Sequence, residues 1–194
     1  MTRLGIVDAI LALHPTVQFT TNNGKIGEWH SSEITQPTEQ EIEIKLAELK
    51  YQEEVNVYQE KRKLEYPDWG DQLDQIYHSG IDVWKTGIKT IKDKYPKQTM
   101  DATELQKRKD AVVFNFQKRD YEKAVARLAQ YELSAGLKDE NGDYVVEPLP
   151  ISVDDPNTGG TMRNPLVVQD EAEREAAQAV INNTPQAVID SINT

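Results

Sequence analysis

Residues 65–96 read EYPDWGDQLDQIYHSGIDVWKTGIKTIKDKYP, a stretch that opens and closes on Tyr-Pro and is split by Ser79-Gly80. Before the glycine, Leu73, Ile76 and Tyr77 fall on one face of a short helix. After it, Ile81, Trp84, Ile88, Ile91 and Tyr95 follow at intervals of 3, 4, 3 and 4, a continuous apolar seam. Gly80 permits a sharp reversal between the two. Asp71 and Asp74 sit in the first turns of the first helix, and Lys92 and Lys94 in the last turn of the second, where each charge meets a favourable helix dipole. A helical hairpin accounts for every residue type, so the stretch is expected to be a packing unit with Leu73, Ile76, Trp84, Ile88 and Ile91 in its core. On that expectation Trp84→Ala costs about 3–5 kcal/mol.

Working outward, residues 37–65 predict a long helix. Thr38 and Glu41 form a capping-box pattern, Ile42, Leu46 and Leu49 make one stripe, and Tyr51, Val55 and Tyr58 another. Tyr66-Pro67 ends it. A second long helix is expected from Ala102 to about Ala135, capped by Asp101 and Glu104 and stopped by Gly136-Leu137. Upstream, residues 7–13 predict a short helix stopped at His14-Pro15. Two strands, residues 17–20 and 26–29, follow around Asn22-Asn23-Gly24, a strong hairpin signal. Downstream, Asn141-Gly142 suggests another small hairpin. DDPNTGGTMRNP reads as extended linker, residues 169–181 as a short helix, and residues 184–192 as a last turn or two with Thr184 as cap and Pro185 first in the helix. The expected fold is mainly α, in three parts. A small helix-plus-hairpin unit spans 1–36, a helical body with the 66–96 hairpin spans 37–136, and an acidic extended arm with short helices spans 137–194.

Composition bounds the function. The 194 residues carry a net charge of −11, and mean hydropathy is −0.67, polar for one compact globule. That charge argues against nucleic acid as a partner, since phosphate binding needs clustered Lys and Arg. Residues 137–194 hold 11 acids and 3 bases, a net of −8, which suggests a spacer or a docking arm for a basic partner. In that arm Leu149, Ile151, Leu166, Val167, Val180 and Ile189 are apolar enough to fill pockets on another chain, yet too sparse to form a core of their own. There are no cysteines, which excludes disulfides and thiolate chemistry. The apolar run near the start is too short to span a bilayer, so neither a membrane span nor a signal peptide is expected.

The chemical motifs fail on spacing. His14, His30 and His78 lack partners at metal-site intervals. Asp139, Asn141 and Asp143 imitate the start of a calcium loop, but Tyr144 stands where the glycine belongs and Pro150 where the bidentate Glu belongs. NTGGT, residues 157–161, lacks the Gly-Lys-Ser/Thr of a phosphate loop. No catalytic residue, cofactor or metal is assigned.

The segment KRKLEYPDWGDQLDQIYHSGIDVWKTGIKTIKDKYPK resembles a recurrent module of bacteriophage proteins, common in cyanophages and other marine phages. Its marks here are Tyr66, Pro67, Gly70–Asp74, Tyr77, Trp84 and Lys94–Pro96. The start of the chain resembles small phage proteins encoded near tail genes, some of them tail or tail-fibre assembly proteins. The resemblance implies a non-enzymatic virion protein of the tail or a tail-fibre or head–tail junction. Such a protein would be made in the host cytoplasm, oligomeric in the particle, and bound to other phage structural proteins such as tail-fibre or connector subunits. The alternative it implies is a tail or tail-fibre assembly chaperone.

Overall fold

The computed structural model describes residues 4–193; the ends of the first and last expected segments, residues 1–3 and 194, lie outside them. The fold is mainly α. Among the described residues there are seven helices and three two-stranded antiparallel sheets. The chain divides into two compact units, residues 1–113 and 114–194.

The first unit begins with α1 (Ile6–Leu13), then β1 (Phe19–Asn22) and β2 (Lys25–Trp29). Asn23 and Gly24 take the positive φ values, 49° and 73°, that a tight hairpin turn demands. Helix α2 (Glu39–Glu65) starts with the expected capping box. The Thr38 hydroxyl accepts from the Glu41 N–H at 3.2 Å, and the Glu41 carboxylate accepts from the Thr38 N–H at 2.8 Å. The core joins these elements. Ala9, Ile10, Val17, Ile42 and Leu46 are buried together, with Phe19, Trp29 and Leu49 packed against them. The indole of Trp29 donates to the carbonyls of Ser31 and Ile34, which fixes the link into α2. The expected boundary after residue 36 therefore cuts through a single core, because α1 and a two-stranded ribbon cannot bury their apolar faces without α2.

Past that core, α2 continues to Glu65 and hands the chain to α3 (Trp69–Ser79) and α4 (Ile81–Lys94). Asp68 caps α3, its side chain accepting from the Asp71 N–H at 2.9 Å. Gly80 alone separates the two helices. It adopts φ 80° and ψ 162°, a conformation open essentially only to glycine. A Cβ there would meet nothing within 4 Å, so the constraint is purely in the backbone. Gly80→Ala is expected to destabilise the hairpin by about 1–3 kcal/mol through that strain. Thermal unfolding monitored by circular dichroism checks it.

Helix α5 (Ala102–Ala129) contributes its first half to the first unit. Asp101 caps it by accepting from the Glu104 N–H at 2.8 Å. Arg108 lies 4.3 Å over the Tyr51 ring and pairs with Glu54 and Glu104, and Lys109 reaches Glu48. These contacts hold α5 beside α2.

The second unit corrects the expected extended arm. Strands β3 (Leu137–Lys138) and β4 (Tyr144–Val146) form the hairpin around Asn141-Gly142. The presumed linker is a further hairpin, β5 (Ser152–Asp154) with β6 (Thr161–Arg163), whose loop is tied by Asp155 accepting from Asn157 N–H and the Thr158 hydroxyl. Helix α6 (Pro165–Asn183) starts four residues before the expected segment and runs 19 residues. Asn164 caps it and Pro165 opens it, so Leu166, Val167 and Val168 are helical, not extended. Helix α7 (Gln186–Ile192) follows. Thr184 does not cap it; its hydroxyl donates back to the Val180 carbonyl. Val167 and Val188 are each 1% exposed, and Ala124 and Ala177 are buried. Part of the sparse apolar set does bury itself, and α6 is tied to the end of α5 by Arg127 and Arg174.

Helix α5 also stops earlier than expected, at Ala129. Arg174 donates to the carbonyls of Leu128 and Gln130, and Asp170 accepts from the Leu133 N–H. These side chains from α6 satisfy the groups that another helical turn would have paired. Gly136 is left-handed as expected, at φ 71°, but closes a separate turn by donating to the Glu132 carbonyl.

Candidate functional site

The α3–α4 hairpin is built as a packing unit on one side only. Its inner contacts are polar as well as apolar. The Trp84 indole donates to the Gln72 side chain at 3.1 Å, and Gln72 in turn donates to the Pro67 carbonyl at 2.7 Å. Arg62 of α2 donates to the carbonyls of Lys92 and Tyr95 at 3.0 and 2.8 Å, capping α4 from outside. The Glu65 carboxylate accepts from Lys94 and from the Tyr95 hydroxyl. Those two donors, Lys94 foremost, hold the Glu65 carboxyl below its ordinary range, and Glu65 holds Lys94 above its own. These latches join the two ends of the Tyr-Pro module, Tyr66-Pro67 and Tyr95-Pro96.

None of the residues of α3 or α4 is buried. Tyr66, Ile76, Trp84, Ile88, Ile91 and Tyr95 are half-buried, so the expected full core is instead a thin seam. Leu73 and Tyr77 correct the expectation outright, being 49% and 83% exposed. The physical reason is geometric. Two short helices share a single contact line, and no third element covers the far side of α3. Trp84→Ala is accordingly expected to cost about 1–2 kcal/mol, well under the 3–5 of a buried aromatic. Denaturant titration of the full chain measures it.

Leu73 and Tyr77 belong to an exposed row on α3 that begins at Trp69. Trp69, at 71% exposed, precedes Leu73 by four residues, and Leu73 precedes Tyr77 by four. Residues four apart share a helix face. The result is one exposed apolar edge of α3 made of Trp69, Leu73 and Tyr77, rich in the aromatics favoured at the centres of protein–protein interfaces. Leu64, at the end of α2, is likewise exposed.

The other expected interaction residues divide. Val167 is interior to the second unit and unavailable to a partner. Leu166, Ile151 and Val180 are exposed, and Leu149 and Ile189 half-buried; the structure does not gather them into one surface row. The second unit is held instead by an ion-pair network in which Arg127 reaches Asp170 and Glu173, and Arg174 reaches Glu132.

Several open clefts lie on the surface of the described residues. The one lined by Ile6, Lys25, Ile26, Pro37, Ile42 and Glu43 has a volume of about 240 Å³, below the usual range for a ligand pocket, and no nucleophile–base pair is among its lining residues. Among the described residues no cluster of three His, Asp or Glu side chains could hold a metal, and no helix is long and apolar enough to cross a membrane. No protein-family model, curated protein or solved structure matches the chain.

Proposed function

We propose that this chain is a non-enzymatic interaction protein of a bacteriophage particle, in the tail or at a junction of the tail with fibre or head. The observation that carries the reading is the row Trp69, Leu73 and Tyr77, an exposed apolar edge on α3 of a latched helical hairpin. An exposed, contiguous row of large apolar groups costs solubility unless something covers it. Helix faces presenting anchors one turn apart are a recurring means of binding a protein groove. The resemblance of the same module to phage proteins supplies the setting.

Mass spectrometry of purified phage particles tests this. A structural component is expected at fixed stoichiometry to the tail proteins. Absence from particles, with abundance in infected-cell lysate, would contradict the structural role and select the assembly-chaperone alternative.

A further inference from the structure

We infer that the α3–α4 hairpin docks an acidic amphipathic helix of another protein, laid along the groove between its two helices; the inference rests on reading the row from Trp69 to Tyr77 as an interface. The geometry starts at the seam. Gln72 and Ile76 of α3 and Trp84, Ile88 and Ile91 of α4 are half-buried, and the Trp84 indole donates to Gln72 across the contact. One position further along an α-helix is a rotation of about 100° in a fixed hand. The two helices run antiparallel with their seams facing, so that rotation carries both chains to the same side of the hairpin. Leu73 and Tyr77 follow Gln72 and Ile76, and Lys85, Lys89 and Lys92 follow Trp84, Ile88 and Ile91. An apolar row on α3 and a lysine row on α4 therefore flank one groove. The residues that precede the seam confirm the sidedness, since Gln75 shares a cleft on the opposite face with Val83, Gly87 and Thr90.

Both rows are open to a partner. Lys85, Lys89 and Lys92 are exposed, as are Trp69, Leu73 and Tyr77. Lys89 is paired with Asp93, Lys85 has only a long contact to Asp82 at 3.7 Å, and Lys92 makes no ion pair among the described residues. The aspartates of α3 are turned off this face, Asp71 because it precedes the seam and Asp74 because it lies a further step beyond Leu73. The partner's chemistry follows. A third helix in the groove packs on both helices as in a bundle, with apolar residues against Leu73 and Tyr77 and carboxylates towards Lys85 and Lys92. The lysine stems extend the apolar floor beneath those carboxylates. Residues 66–96 as a whole hold four lysines against five aspartates, a net of −1, so the broad negative field of a nucleic acid or an anionic bilayer gains little from the hairpin. A narrow partner touching this one face meets the free lysines without the aspartates of α3.

Photocrosslinking of the full-length chain in infected cells tests the inference. With p-benzoyl-phenylalanine in place of Tyr77, the captured peptide is expected to belong to another protein and to carry apolar residues at helical spacing beside an excess of Asp and Glu. The same group in place of Thr90, on the opposite face, is expected not to capture it. Lys85→Glu with Lys92→Glu should cut the capture by at least about tenfold, with unchanged circular dichroism, whereas Lys85→Arg with Lys92→Arg should retain it. No capture at position 77 would overturn the inference. So would capture there of a neutral or basic segment, a second copy of this chain, a nucleic acid or a lipid, or a capture indifferent to the glutamate pair. Irradiating cells instead of particles separates this result from the proposed function. An acidic helix captured by a chain that is absent from particles leaves the inference standing and removes the structural role. A chain present in particles with no acidic partner at position 77 does the reverse.

Discussion

Replacing Ile10 by Ala is expected to lower stability by about 3 kcal/mol or more, with a fall in melting temperature of about 10 °C. Ile10 is fully buried, at the point where α1, the β1–β2 hairpin and the first turns of α2 meet. Removing three carbons there leaves a cavity among Ala9 of α1, Val17 ahead of β1, and Ile42 and Leu46 of α2, so the site cannot collapse cheaply. Leu11→Ala is the matched control. Leu11 is 42% exposed on the same helix, and its truncation is expected to cost under about 1 kcal/mol. Differential scanning calorimetry of both variants decides. Equal effects would mean that the short first helix is peripheral and that residues 1–36 do not share a core with α2.

The second large effect is expected at Asp170. Its carboxylate is buried and accepts from Arg127 and from the Leu133 N–H at 3.2 Å. Asp170→Ala removes both contacts and is expected to cost the second unit about 2–3 kcal/mol. The sign of the pH dependence follows from the same contacts. Burial alone would push the Asp170 carboxyl up, but the Arg127 guanidinium and the Leu133 N–H outweigh it and hold the group below its ordinary range. A folded-state value below the unfolded one means that this stabilisation is complete above about pH 4, the unfolded value, and is lost as pH falls through the lower folded value. Urea titrations at pH 6 and pH 3, each taken as about that value, should show wild type losing more stability than Asp170→Ala. Parallel losses would mean that Asp170 is not the group responsible.

What could be read from the sequence was whatever short-range chemistry decides. The Thr38–Glu41 box, the Asn23-Gly24 turn, the Tyr66-Pro67 stop and the reversal at Gly80 depend on a few neighbouring residues, and each stands where expected. What could not be read depends on partners distant in the chain. The end of α5 is set by Arg174 and Asp170, some forty residues away, and not by Gly136. Val167 reads from sequence as a docking residue of the arm, and its burial inside the second unit depends on tertiary packing that no local pattern reveals. The apolar row illustrates the same limit from the other side. Spacing shows that Leu73 and Tyr77 share a face, but it does not show whether anything covers that face. Helical periodicity reads the same for a buried stripe and a docking stripe. Trp69 carries no sequence signal of its own, because it stands at the first turn of α3, outside the inward seam of the hairpin.

The proposed function requires that row to be a protein-binding surface. The most direct measurement uses the double variant Trp69→Ala, Tyr77→Ala in phage particles purified from infected cells and quantified by mass spectrometry against tail proteins. Both side chains are mostly exposed, so the variant is expected to fold with wild-type circular dichroism and melting temperature. The predicted result is a folded chain that is present in the cell and depleted from particles by at least about tenfold. Incorporation at the wild-type level would contradict it.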